Sequence, residues 1–262
     1  MQKFIIPLMP SCKIYVEPFG GGASVLLARE PVDLEVYNDL HDGLYTFFTV
    51  LSDPEQFDLF CRRVQPLLFS HKYYIEARDT WKTEPDRIIK AVKFFVAARQ
   101  AFSGVLGSGW GYETKTENKN VMAWINTIDG LPRIHSRLRR VQVQSENWDK
   151  IIDIYDGLDT LFYCDPPYVH ETRVDAKVYE HEMTADDHRK FIDRMLNVKG
   201  MVVISGYVHH IYEPLEKSGW KRHDLDMACN PSRTIEATRN RRIESVWVKP
   251  YENTKTRDRK FV

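Results

Sequence analysis

The chain has 262 residues, room for one large domain or for a core carrying one sizeable insertion. Lysine plus arginine number 37 and aspartate plus glutamate 37, so no global charge draws the protein to a polyanion and any basic surface has to be local. Cys12, Cys61, Cys164 and Cys229 have no paired short spacing, which argues against a metal site or a disulfide framework; with no apolar run of membrane-spanning length and no signal peptide in MQKFIIPLMPSCK, a cytoplasmic protein with reduced thiols is expected.

In chain order, KIYVEPF (13–19) reads as a strand, GGGA as a turn, SVLLARE as the start of a helix, LEVYN (34–38) as a second strand and DLHDGLYTFFTVL as a second helix. This opening predicts a parallel sheet with helices on its faces. From about Asp53 to Ala101 the spacing turns helical in SDPEQFDLFCRRV and EPDRIIKAVKFFVAARQAF, each behind an acidic, proline-containing start. SGVLGSGWGYETKTENKN (103–120) reads as a loop or hairpin, and LPRIHSRLRRVQ as a short helix bearing Arg133, Arg137, Arg139 and Arg140. Strand patterns resume at TLFYCDPPY, MVVISGY (201–207) and RIESVWVKPY, while TADDHRKFIDRML places Thr184 as an N-cap with Asp187 three residues on. The last residues, ENTKTRDRKFV, read as a solvated tail.

Three stretches carry chemistry. In YVEPFGGGASVLL a strand ends in an acid and enters a glycine turn before a helix, which brings Glu17, Phe19 and Gly20 to Gly22 to the carboxyl end of the sheet. The spacing matches neither the dinucleotide fingerprint nor a P-loop. Asp39 follows the turn by about twenty residues, where such folds often place a carboxylate on a ribose hydroxyl, although capping of the next helix explains it too. In Asp165-Pro166-Pro167-Tyr168 two prolines enforce a stiff, extended exit from a strand. A rigid carboxylate, a backbone carbonyl and an aromatic face can together grip a planar group bearing an amine.

The ordered set YVEPFGGGASV, YNDL, LFYCDPPY, VVISGY and RRIESVWV resembles the Dam-type DNA adenine methyltransferases, in particular phage and prophage members, over nearly the whole chain. The resemblance implies a Rossmann-like α/β methyltransferase sheet of seven strands, formed by residues 1–52 and 141–262, with a mainly helical DNA target-recognition domain inserted at 53–140. It implies transfer of a methyl group from S-adenosylmethionine to the exocyclic N6 amine of an adenine flipped out of double-stranded DNA. Asp165 and the Pro166 carbonyl would accept from that amine and Tyr168 would stack on the base. Glu17, Phe19, Gly20 and Gly22 would approach the cofactor, with Asp39 at its ribose or adenine edge and Asn147, in SENWD, near its adenine. Trp148 reads equally as core packing.

DNA contact is expected from Arg133, Arg137 and Arg140 with Lys115 and Lys119, and from the hairpin with Trp110 or Tyr112 as a wedge. A solvated helix face explains the arginines nearly as well. A cognate restriction endonuclease is a possible partner but is not required. Family members usually carry a Gly-Lys segment before the stretch that here is KFIIPLMP; this chain begins after it, so either Met1 is an internal start or another residue such as Lys3 substitutes. The competing readings are methylation of a different amine (cytosine, RNA or protein glutamine), which more often shows serine or asparagine before the prolines, a binding module that has lost catalysis, and a nicotinamide-dependent oxidoreductase, which would not need the Asp-Pro-Pro-Tyr exit.

Overall fold

The computed structural model describes residues 1–113, 118–169, 171, 181–228 and 241–251. Its strands are β1 (Ile14–Glu17), β2 (Leu34–Asn38), β3 (Val141–Gln144), β4 (Thr160–Cys164), β5 (Met201–Tyr207), β6 (Lys221–Ala228) and β7 (Arg241–Val248). They form one seven-stranded sheet in the order β3-β2-β1-β4-β5-β7-β6. β1 pairs parallel with β2 and with β4, and β4 with β5, while β7 runs antiparallel between β5 and β6. The α/β expectation therefore holds, with a parallel centre.

Chain contacts divide the molecule into two compact units, residues 1–38 with 146–262, and residues 39–145. In the first, the parallel strands are buried on both faces, which is why they read as continuous apolar runs. Val16, Val36, Phe162, Val202, Ile204 and Trp247 cover one face of the sheet. On them lie Ile151 and Ile152 of α8 (Trp148–Tyr155), Phe191, Ile192 and Met195 of α9 (Ala185–Asn197), and Leu215 of α10 (Glu213–Lys217). The capping box at α9 is present: the Asp187 N–H donates to Thr184 Oγ1 at 3.2 Å and the Thr184 N–H to Asp187 Oδ2 at 3.0 Å.

The second unit is helical over most of its length. α3 (Asp42–Ser52), α4 (Pro54–Val64), α6 (Arg87–Arg99) and α7 (Lys119–Leu138) enclose Phe48, Phe60, Phe94, Phe95 and Trp124. α3 packs on α4, α6 and α7, so it belongs to this unit by contact, although its sequence continues the β-α opening. His135 bonds the Leu51 carbonyl through Nδ1 at 2.6 Å and stacks on Phe57, which ties α7 to the end of α3 and to α4.

Four elements differ from the sequence reading. The arginine-bearing helix is not short: α7 spans 20 residues and carries Pro132 in its interior on an exposed position. Val141 and Gln142, read as the tail of that helix, open strand β3, and α5 (His71–Thr80) lies between the two helices expected there. β6 was not anticipated at all. No helix among the described residues is long and apolar enough to cross a membrane.

Candidate active site

β1 leads outward through β2 toward β3, whereas β4 leads the other way to β5, so the strand order reverses between β1 and β4. Ligands in open α/β sheets bind outside the carboxyl ends of the strands at such a switch point. Glu17 ends β1 and Asp165 follows the last residue of β4, so both carboxylates stand at this place.

Glu17 is buried and accepts from the Tyr15 hydroxyl at 2.7 Å. Burial pushes its carboxyl up to about 8, against the Tyr15 hydroxyl and the Leu26 backbone, which favour the charged form. After Pro18 the chain turns through the glycines. The Gly20 N–H donates to the Asn38 carbonyl at 2.8 Å, and a Cβ at Gly20 would run into the Tyr37 ring, so the approach of the turn to β2 requires glycine. Gly21 has φ +48°, and its carbonyl accepts from the Tyr37 hydroxyl at 2.8 Å. At Gly21 and Gly22 a Cβ would meet nothing within 4 Å, so this backbone faces open space. Phe19 is partly buried, edge-on to Phe191 with ring centroids 5.6 Å apart and tilted to Trp148 at 6.3 Å.

Asn38, the last residue of β2, fixes this turn. Its side-chain amide donates to the Pro18 and Glu146 carbonyls, both at 2.9 Å, and its oxygen accepts from the Glu146 N–H at 2.8 Å. Asn147 is the exposed N-cap of α8 and Trp148 packs into the apolar cluster. Asp39 belongs to the second unit, where its Oδ1 accepts from the His41 N–H at 2.8 Å, an Asx-type turn before α3.

At the end of β4, Pro166 is buried, Pro167 and Tyr168 are half-buried and Asp165 is exposed over part of its surface. Its Oδ1 accepts from the Ser205 hydroxyl at 2.8 Å. The protein around Asp165 still disfavours the charged form and pushes the carboxyl up to about 6; the Ser205 bond opposes that shift, and the Glu244 carboxylate adds to it. The Tyr168 hydroxyl donates to Glu244 Oε1 at 2.7 Å. Ser205, Glu244 and Asn38 are the residues for which sequence reasoning assigned no role.

In the second unit, Ala101 and Trp110 form an antiparallel bridge, so the segment between them closes as a hairpin. Trp110 packs against Phe69, His71 and Tyr112 and donates to Gln100 Oε1 at 3.3 Å, whereas Tyr112 is half exposed. Arg133, Arg139 and Arg140 are exposed, Arg137 is half-buried and Lys119 opens α7. Lys115 lies outside the described residues, as does the tail from 252 onward.

A family model for D12 class N6 adenine-specific DNA methyltransferases matches residues 1–217. The chain belongs to this class. No curated protein matches the chain at a significant level. As a D12-class enzyme it methylates adenine N6 in DNA with S-adenosylmethionine as the methyl donor, on a Rossmann-like methyltransferase fold. The residues present fit that cofactor: the glycine turn leaves open space beside its backbone, and the buried Glu17 carboxyl, raised by burial, would be drawn to its charged form by a cationic amine.

Proposed function

We propose that Asp165, Pro166 and Tyr168 receive an adenine flipped out of double-stranded DNA and that Asp165 and the Pro166 carbonyl accept the hydrogens of its N6 amine. The observation that carries this reading is the placement of Asp165 at the β1/β4 switch point, anchored by Ser205 next to the tethered Tyr168 ring. The lone pair of an adenine amine is delocalised into its ring, so the nitrogen becomes nucleophilic only as it pyramidalises and gains positive charge. An acceptor already in place favours that change without reorganising. With its carboxyl near 6, Asp165 is mostly ionised at neutral pH and serves as that acceptor. A base inside a duplex cannot reach it, hence the flip and the stacking face of Tyr168.

Bound S-adenosylmethionine supplies an electrophilic methyl group on a sulfonium. Glu17, Phe19, Gly20 and Gly22 hold it in this reading, Glu17 through the cofactor's cationic end and the turn through its backbone, with Asp39 and Asn147 as the further contacts. For DNA, exposed Arg133 and Arg140, with Lys119, Arg137 and Lys115, meet phosphates, and Tyr112 rather than the packed Trp110 is the aromatic available for insertion. We place the enzyme in the cytoplasm with its substrate, with a restriction endonuclease as an optional partner.

The test is transfer of labelled methyl from S-adenosylmethionine to unmethylated duplex DNA, followed by nucleoside analysis, for the parent and for Asp165→Ala. N6-methyladenine from the parent and about a thousandfold slower formation by the variant, at matched cofactor binding, is the expected result. Transfer at the parental rate by Asp165→Ala would falsify the catalytic assignment.

A further inference from the structure

In a strand, side chains two residues apart share a face, and the register carries that parity to the next strand. Tyr163 pairs with Val203, Ser205 with Val246 and Tyr207 with Glu244. Tyr163, Ser205, Tyr207 and Glu244 therefore stand on one face, while Val202, Ile204 and Trp247, of opposite parity, are buried in the apolar cluster on the other. All four converge on the Asp-Pro-Pro-Tyr exit.

Ser205, itself 1% exposed, donates to Asp165 Oδ1 at 2.8 Å. The Tyr163 hydroxyl lies 3.0 Å from Ser205 Oγ. A carboxylate can only accept, so the single Ser205 proton is committed to Asp165 and Tyr163 is the donor in the second bond. Tyr163 is buried, so the chain of two bonds runs from the sheet interior out to the carboxylate. At the other end of the motif, Glu244 holds the Tyr168 hydroxyl, and Tyr207 meets the Tyr168 ring edge-on with centroids 4.6 Å apart. A second carboxylate close to Asp165 is an electrostatically costly neighbour, so a neutral acceptor would be the cheaper way merely to satisfy a tyrosine.

We infer that Ser205 and Glu244 are positioning residues for methyl transfer: the Ser205 hydroxyl, fixed by Tyr163, orients the Asp165 carboxylate, and Glu244 with Tyr207 sets the Tyr168 ring before DNA arrives. The inference rests on the reading above, in which Asp165 and Tyr168 meet the target amine. Groups whose orientation is locked by their neighbours need no rearrangement as charge develops, and a misplacement of about 1 Å can cost on the order of a hundredfold in rate.

The experiment measures single-turnover methyl transfer to unmethylated duplex DNA, S-adenosylmethionine affinity by calorimetry and thermal unfolding, all on the full chain. Ser205→Ala should lose roughly 10- to 100-fold in rate with cofactor affinity within about twofold of the parent, and Ser205→Thr should recover most of that loss. Ser205→Cys, which keeps the size but donates weakly, should behave like the alanine variant and serves if the latter does not fold. Two readouts separate positioning from plain structural support. The acidic limb of the pH–rate profile should move to higher pH in Ser205→Ala, where the carboxylate loses a donor, and to lower pH in Glu244→Gln, where it loses a like charge. Glu244→Ala and Tyr168→Phe should lower the rate by similar factors, and the double variant should be no worse than either.

Parental rates and an unmoved acidic limb in Ser205→Ala and Glu244→Ala would overturn the inference, as would rate losses that merely track the folded fraction. Asp165→Asn separates the two readings. If it is inactive while the Ser205 and Glu244 variants are parental, the positioning inference alone falls; if it retains the parental rate, the catalytic reading falls with it.

Discussion

Two acids mark the ends of neighbouring parallel strands, and their surroundings differ. Glu17, at the end of β1, is 2% exposed and faces the Tyr15 hydroxyl and the Leu26 backbone; burial lifts its carboxyl to about 8. Asp165, just past β4, opens to solvent on one side, and its carboxyl is lifted only to about 6 because Ser205 offsets part of the desolvation. Around neutral pH the first is therefore mostly a neutral acid and the second mostly a carboxylate. Two titratable groups pushed apart by environment can take different tasks on one fold. The ionised one suits an amine that becomes positive during reaction, and the neutral one waits for a cation that makes its ionisation worthwhile.

The strongest way to break this comparison is to remove each carboxylate in turn. Asp165→Ala should lower single-turnover methylation by about 10³-fold, the upper end of what one preorganised charge-stabilising group supplies, with cofactor affinity close to the parent. Glu17→Gln should instead weaken S-adenosylmethionine binding and leave a measurable rate at saturating cofactor. Equal effects of both variants on both quantities would erase the division of labour. The ionised form of Asp165 is the working form, so the parental rate should be flat above pH 7 and fall about tenfold per pH unit below a midpoint near 6. A limb centred near the ordinary aspartate value, about 4, would mean that its surroundings do not raise it.

The β1 side of the comparison also rests on how closely the glycine turn approaches β2. Gly20→Ala places a methyl against Tyr37, so overpacking should cost about 1–3 kcal/mol in chemical unfolding and weaken cofactor binding beyond that loss. Relief by a second change, Tyr37→Leu, would show that the ring is the obstacle. No destabilisation would show that the turn has slack.

Much of this was legible in the sequence where the signal is local. LEVYN and MVVISGY match β2 and β5 residue for residue, because strands buried on both faces must be apolar runs. Thr184 and Asp187 sit three apart, and the cap they form is visible at that spacing. The proline pair after β4 marked a rigid exit. What stayed hidden was non-local or polar. KRHDLDMA is strand β6, at the edge of the described sheet and paired there with β7, and its charged residues erase the apolar signal. VQVQ is four residues long and follows a helix directly. Gly130 and Pro132 look like a helix start, yet α7 runs through them from Lys119. Ser205 reaches Asp165 across 40 residues and Glu244 reaches Tyr168 across 76, distances at which only strand register reveals a partnership.

The finest test uses stability rather than rate. The folded-state value of Glu17, near 8, lies above the ordinary glutamate value of 4.5, so the native state holds this proton more tightly than the unfolded chain does. The sign follows: Glu17 supports the fold in full below the unfolded value, and that support drains as pH rises toward 8. Glutamine keeps an oxygen for the Tyr15 hydroxyl and cannot ionise. The unfolding free energy of the parent minus that of Glu17→Gln should therefore fall by about 1.4 kcal/mol for each pH unit between roughly 5 and 8, and level off above. A difference that stays constant with pH would place an ionised carboxylate at the end of β1. The contrast with Asp165 would then collapse to one of exposure alone.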